Sequence, residues 1–252
     1  MNAQTVIAQD SKTALSLFEQ NILRVVLYFN IFNHPLKAEE IYSFLPSNST
    51  TPAEVASTLE SGAIHRVVKS REGYFFLGSS RESCIDDRRR KEQLARVRIK
   101  TALAVARFIR MFPFVRAVML SGELSKGVAS EGSDIDFVIV TQKRRLWICR
   151  SILILFKKVF LFNSKKYFCL NHFISEENLS ASLRNIYSAT EIATLKPLSN
   201  HGQYVEYIRA NEWIREFFPN WKSPGLGNYK EEESRFSVRR IIERIASVRS
   251  LE

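Results

Sequence analysis

Asp134 and Asp136 stand at alternate positions of the run "SDIDFVIV", with Asp134 twelve residues after the glycine of "LSGELSKG", Gly122. On a strand, alternate side chains leave from one face, so the two carboxylates lie about 7 Å apart along the chain. Val138 and Val140 continue that face, and Ile135, Phe137 and Ile139 cover the other. Two close acids repel, and partial burial adds to the cost of their charge. A divalent cation relieves both, and Mg²⁺ takes one or two protein carboxylates together with phosphate oxygens. A strand-borne Asp-x-Asp beside a glycine turn is therefore a platform for a metal–triphosphate complex. The structural alternative is that Asp134 caps a turn and Asp136 pairs with an arginine.

The Ser121-Gly122 turn, the Ser125-Lys126-Gly127 that follows and the acid-bearing apolar strand form a combination. It resembles the polymerase-beta-like nucleotidyltransferase superfamily over roughly residues 90–175. The resemblance implies that Asp134 and Asp136 are the catalytic Mg²⁺ ligands and that Ser121 and Gly122 approach the nucleotide phosphates. Lys126 would neutralise phosphate charge, and Ser133 would orient the start of the strand. Two positions depart from the family pattern. Glu123 stands where the turn usually has serine, and the strand expected to bring a third carboxylate, "YFCLNHFIS", offers Asn171 and His172, with no acid before Glu176 and Glu177.

The charge of the chain is unevenly placed. Residues 18–78 hold five Lys/Arg and six Asp/Glu, whereas residues 85–252 hold 30 and 18, which accounts for the net +11 of the chain. A polyanion suits that second part; a basic surface that serves only solubility is the other account. Cys84, Cys149 and Cys169 are odd in number and lack metal-ligand spacing, as free thiols of a reducing, cytoplasmic setting would be. His34, His65, His172 and His201 show no paired ligand spacing. The most apolar stretch, "LWICRSILILFKKVFLF", is broken by Arg150, Lys157 and Lys158 and is expected as a buried helix, so no membrane partner is expected. Trp147, Trp213, Trp221, Tyr204 and Tyr207 are expected in the core.

Along the chain, "LFEQNILRVVLYFNIF", "LKAEEIYSFL" and "TPAEVASTLES" read as three helices. The third opens on a capping box, Thr51 with Glu54, and on Pro52, and it stops at Gly62. "IHRVVKSREGYFFLG" then reads as a hairpin around Gly73. Three helices and a hairpin over 16–80 resemble a winged-helix module. Its third helix carries no Lys or Arg, so a protein contact is expected of it before DNA; Arg66, Lys69 and Arg71 on the hairpin are the candidates for phosphate contact. A long amphipathic helix from Asp86 to Arg110 follows, with Arg88, Arg89, Arg90 and Lys91 as a solvated basic block.

The expected fold class is α+β. It comprises a winged-helix-like module (16–80), a small mixed-sheet nucleotidyltransferase-like domain (86–177) and a helical C-terminal domain (178–252). The expected function is Mg²⁺-dependent transfer of a nucleotidyl group from an NTP to a hydroxyl of a small molecule or protein. The alternative is a catalytically reduced member of that fold acting as a regulatory or interaction module, with DNA as a further partner to be tested.

Overall fold

The structure is a computed structural model that describes residues 15–223 apart from Ser49, Glu82 and Lys165. The part of the expected helical C-terminal domain from residue 224 on lies outside the described residues. The fold is mixed α+β, and among the described residues no helix is long and apolar enough to cross a membrane. It resolves into two compact units. The first contains the described residues up to Arg90 together with Trp213–Lys222; the second contains Lys91–Glu212 and Ser223.

In the first unit, α1 (Leu17–Asn30), α2 (Ala38–Ser43) and α3 (Pro52–Ser61) precede a short 3₁₀ turn and a hairpin of β1 (Val68–Arg71) and β2 (Tyr74–Leu77). The capping box read from the sequence is present. Glu54 N–H donates to Thr51 Oγ1 at 3.2 Å, and Thr51 N–H donates to Glu54 Oε2 at 2.8 Å. Glu72 and Gly73 both have positive φ, the geometry of a tight two-residue hairpin turn. Ile22, Val25, Phe29, Ile41, Leu59 and Phe75 are among the residues that fill the core.

In the basic block at residues 88–91, Arg89 and Arg90 are exposed as expected, and Arg88 differs. Arg88 is only 4% exposed. Its guanidinium donates to Glu40 Oε1 at 2.9 Å and to the Pro35 carbonyl at 3.1 Å, and it also meets His34. Arg89 pairs with Glu72 and Arg90 with Asp87. A buried guanidinium needs such partners, because an unpaired charge would cost several kcal/mol, on the order of 3–5. Of this block, Arg88 spends its charge inside the fold, while the pairs of Arg89 and Arg90 lie at the surface.

The second unit is built on a four-stranded mixed sheet in the order β5-β4-β3-β6. It uses β3 (Val115–Ser121), β4 (Asp136–Thr141), β5 (Cys169–Ser175) and β6 (Lys196–Ser199). β3 runs antiparallel to β4 and β6, and β4 runs parallel to β5. Helix α4 (Cys84–Ile109) brings Ala95, Ala102, Ala106 and Ile109 to this unit's core, which Ile135, Phe137 and Ile139 enter from β4. Val97 of the same helix is exposed.

The remaining elements among the described residues are α5 (Gly122–Ser125, between β3 and β4), α6 (Leu146–Phe160), α7 (Ile186–Thr194), α8 (His201–Ala210) and, in the first unit, α9 (Ile214–Phe217). β6 lies in a stretch expected to be helical. It is an edge strand, and Pro197 within it, facing Met119, is tolerated there because the edge leaves backbone groups unpaired. Residues 178–212 therefore share a unit with the sheet.

Helix α6, expected as a buried helix, is buried along one stripe only. Cys149, Leu153 and Lys157 face the interior, while Trp147, Ile148, Leu155, Val159 and Phe160 are exposed. Trp213, Trp221, Tyr204 and Tyr207 are buried as expected, and Trp147 is not.

Candidate active site around Asp134 and Asp136

The β3–β4 ladder sets the site. Its last pair places Ser121 opposite Asp136, so the turn that ends β3 lies directly beside the acid that begins β4. Immediately before β4, Ile135 keeps the chain extended. Its N–H donates to the Lys166 carbonyl, and its own carbonyl accepts from Cys169 N–H. Ile135 is buried and the two aspartates on either side of it are half-buried, as the period-two alternation requires.

Gly122 is fixed by two observations. Its φ is +69°, and a Cβ built there would sit 2.3 Å from Asp136 Oδ2. The backbone of the turn thus lies against the carboxylate in a space that no side chain can share. Ser121 is buried, and its hydroxyl donates to the Asp136 carbonyl at 3.4 Å.

Glu123 is turned onto the following loop. Its carboxylate accepts from Ser130 N–H at 3.0 Å and from Ser130 Oγ at 3.2 Å. Ser133 fastens the same loop. Its hydroxyl donates to the Ser130 carbonyl at 3.0 Å, accepts from Ser130 N–H at 3.1 Å, and accepts from buried Arg98 at 3.0 Å. Arg98 also donates to the carbonyls of Ser133 and Glu131, at 2.7 and 2.6 Å. The loop that delivers Asp134 is therefore held from both ends.

Lys126 donates to Glu191 Oε1 at 2.8 Å and to the Gly122 carbonyl at 3.3 Å. Glu191, on α7, is the residue that sequence reading missed. Nothing in "SATEIATL" marks it, since its role follows from where α7 packs. Burial raises the pKa of Asp136 above the usual aspartate range. The charges of Asp134 and Glu191 push the same way, against the Cys169 thiol, which donates to the carboxylate, and against Lys126.

The strand next to β4 places Cys169 as the direct partner of Asp136. Burial, the hydrogen bond to Asp136 and the two nearby aspartate charges push its thiol up to about 11. Asn171 falls at an irregularity in the β4–β5 register, and His172 pairs with Val138; both are exposed. Glu176 and Glu177 lie at the other end of β4, where they accept from the backbone N–H groups of Lys143 and Arg144. They do not return to the aspartates. Among the described residues no group of three or more His, Cys, Asp or Glu is arranged to hold a metal ion, so any cation here relies on the two aspartates.

A cleft of about 400 Å³ opens beside β5, lined by Leu146, His172, Ser175, Leu183, Ser188 and Tyr207 among others. The aspartates are not in its lining. His172 connects the two regions along the ladder, because its partner Val138 stands two residues from Asp136 on the same face of β4. Burial pushes the Tyr207 phenol up to about 12, so it stays a neutral hydroxyl at physiological pH. No protein-family model, curated protein or solved structure matches the chain.

Proposed function

We propose that Asp134 and Asp136 carry a divalent cation together with the phosphates of a nucleoside triphosphate. In this reading the chain transfers a nucleotidyl group to a hydroxyl of a small molecule or protein. The observation that carries it is the left-handed Gly122 held against the Asp136 carboxylate, within a group of acids faced by Lys126. The donor set suits Mg²⁺: its oxygens are hard, and Asp134 and Glu191 bring further negative charge to Asp136, against Lys126. Bound Mg²⁺ would supply Lewis-acid stabilisation of charge on the phosphates.

The remaining work falls to the chain. Gly122 keeps the turn free of a side chain, so phosphate oxygens can approach its backbone. Lys126, now on Glu191, can exchange that partner for phosphate. Asp134 and Asp136 offer carboxylate oxygens to the arriving positive charge, which offsets the repulsion between them. In the reaction the acceptor oxygen bonds to the α-phosphorus, the bond to pyrophosphate breaks, and the hydroxyl proton must leave. We assign the acceptor to the cleft beside β5, where His172 is the base within reach of its lining.

A second reading, a nucleotide-binding module with reduced catalysis, is favoured by Cys169. Its thiol, pushed up to about 11 by burial and by its bond to Asp136, puts no further carboxylate at the ladder position facing Asp136. The first unit supports a protein contact for its winged-helix-like order of elements. Its α3 carries no cation, and Arg71 already pairs with Glu72 and Asp86.

Pyrophosphate release from each NTP, measured with Mg²⁺ or chelator, separates the readings. Transfer predicts Mg²⁺-dependent release that Asp134→Asn removes. Nucleotide binding without release, with release gained by Cys169→Asp, would establish the second reading. Absence of nucleotide binding would contradict both.

A further inference from the structure

Residues 137–175 contain eight Lys/Arg and no Asp or Glu. At the centre of this stretch lies α6, fifteen residues and about 22 Å long. Cys149 and Leu153, with Ile152 and Phe156, face the core. The opposite side presents Trp147, Ile148, Leu155 and Val159 at helical spacing, with Phe160 and Phe162 at the end. Trp147 is 71% exposed and Phe162 is 91% exposed. Monomeric soluble proteins rarely leave apolar side chains so grouped in water.

The cations surround this stripe. Arg150 and Lys158 are exposed on α6; Lys143 and Arg144 are exposed before it, and Lys166 after it. The Arg150 guanidinium stands over the Trp147 ring at 5.7 Å. The first acids beyond the stretch, Glu176 and Glu177, are committed to the backbone N–H groups of Lys143 and Arg144.

We propose that the outer face of α6 docks on an anionic lipid bilayer, with Trp147, Leu155, Val159 and Phe162 entering the interface and Arg150 and Lys158 meeting the headgroups. This revises the expectation that the chain has no membrane partner. An exposed aromatic and aliphatic stripe rimmed by Lys and Arg is what an interfacial helix requires, and it needs no spanning segment.

Charge selects this occupant over others. A second copy would bring the same acid-free, basic stretch against itself across a two-fold contact. Residues 224–252, with six Lys/Arg and five Asp/Glu, offer almost no net charge to complement it. A nucleic acid would engage the cations but would leave Leu155 and Val159 in water.

The test mixes the full chain with vesicles of phosphatidylcholine, or with vesicles in which about a third of the lipid is phosphatidylglycerol. Sedimentation and tryptophan emission are followed. The expected result is binding to the anionic vesicles alone, with a blue shift that Trp147→Phe removes, because Trp213 and Trp221 are already buried. Leu155→Ser with Val159→Ser should weaken partitioning at least about tenfold. Arg150→Gln with Lys158→Gln should do so on the order of tenfold. All four side chains are exposed, so melting temperature and nucleotide binding should stay unchanged.

Three results would each overturn the proposal. One is equal affinity, or none, for the two vesicle types. Another is vesicle binding indifferent to the Leu155/Val159 variant and matched by duplex DNA, which would make the surface a general polyanion patch. The third is a dimer that this variant dissolves, which would assign the face to a second copy.

Discussion

Asp136→Asn is expected to melt about 2–4 °C higher than the parent at neutral pH in chelator, while losing Mg²⁺-dependent nucleotide binding. The two effects have one origin. Burial, with Asp134 and Glu191 adding to it, raises the folded-state pKa of Asp136 above its unfolded value. The folded state then holds the proton more tightly than the unfolded one. The contribution to stability is full below the ordinary aspartate range and is lost as pH rises through the folded value. At neutral pH the ionised group is a burden on the fold, and asparagine removes it while its carbonyl still accepts from Cys169. Solvent reaches this half-buried position and screens part of the repulsion, which keeps the gain small. Melting curves from pH 3 to 8, on the order of one unit apart, check the sign: the variant's advantage should vanish at the acid end. Loss of a carboxylate ligand should weaken metal binding at least about a hundredfold, since removal of a mere supporting group costs up to that much.

Gly122→Ala is expected to destabilise the fold by roughly 1–3 kcal/mol and to eliminate nucleotide binding. The stability loss follows from the left-handed backbone, which alanine adopts at a cost. The binding loss follows from the added Cβ, which would lie 2.3 Å from Asp136 Oδ2 and must drive that carboxylate out of place. Gly127→Ala separates these effects. Gly127 has φ +76°, but a Cβ there would meet nothing within 4 Å. It should therefore lose a similar amount of stability and keep its nucleotide affinity. Chemical denaturation measures the first quantity, and titration of the folded variants measures the second. Equal binding by the two variants would remove the close approach at Gly122 from the site.

Local chemistry made part of this fold legible in advance. The capping box of Thr51 and Glu54, the hairpin turn at Gly73 and the alternation that sends Ile135 inward are all written within a few neighbouring residues. The elements that complete the site are not. Glu191 reaches Lys126 from 65 residues away, and Cys169 reaches Asp136 only through the register of the β4–β5 pair. Strand register depends on the whole sheet, which is why Asn171 and His172 drew attention when Cys169 held the facing position. Glu123 stood out in the turn by residue type alone, and its carboxylate is spent on Ser130, a partner seven residues on. Arg88 looked solvated because the residues that satisfy it come from around residues 34–40. For α6, an apolar composition predicts a buried helix but does not say which side meets the core, and a helix on one side of a sheet buries one stripe.

The most direct measurement is a calorimetric titration of the full chain with each NTP, with and without Mg²⁺, alongside Asp134→Asn and Asp136→Asn. Binding of at least one NTP that requires Mg²⁺ and disappears in both variants is the predicted result. NTP binding that ignores Mg²⁺ and both substitutions, or no binding to any NTP, would contradict the assignment of the two aspartates to a metal–nucleotide site.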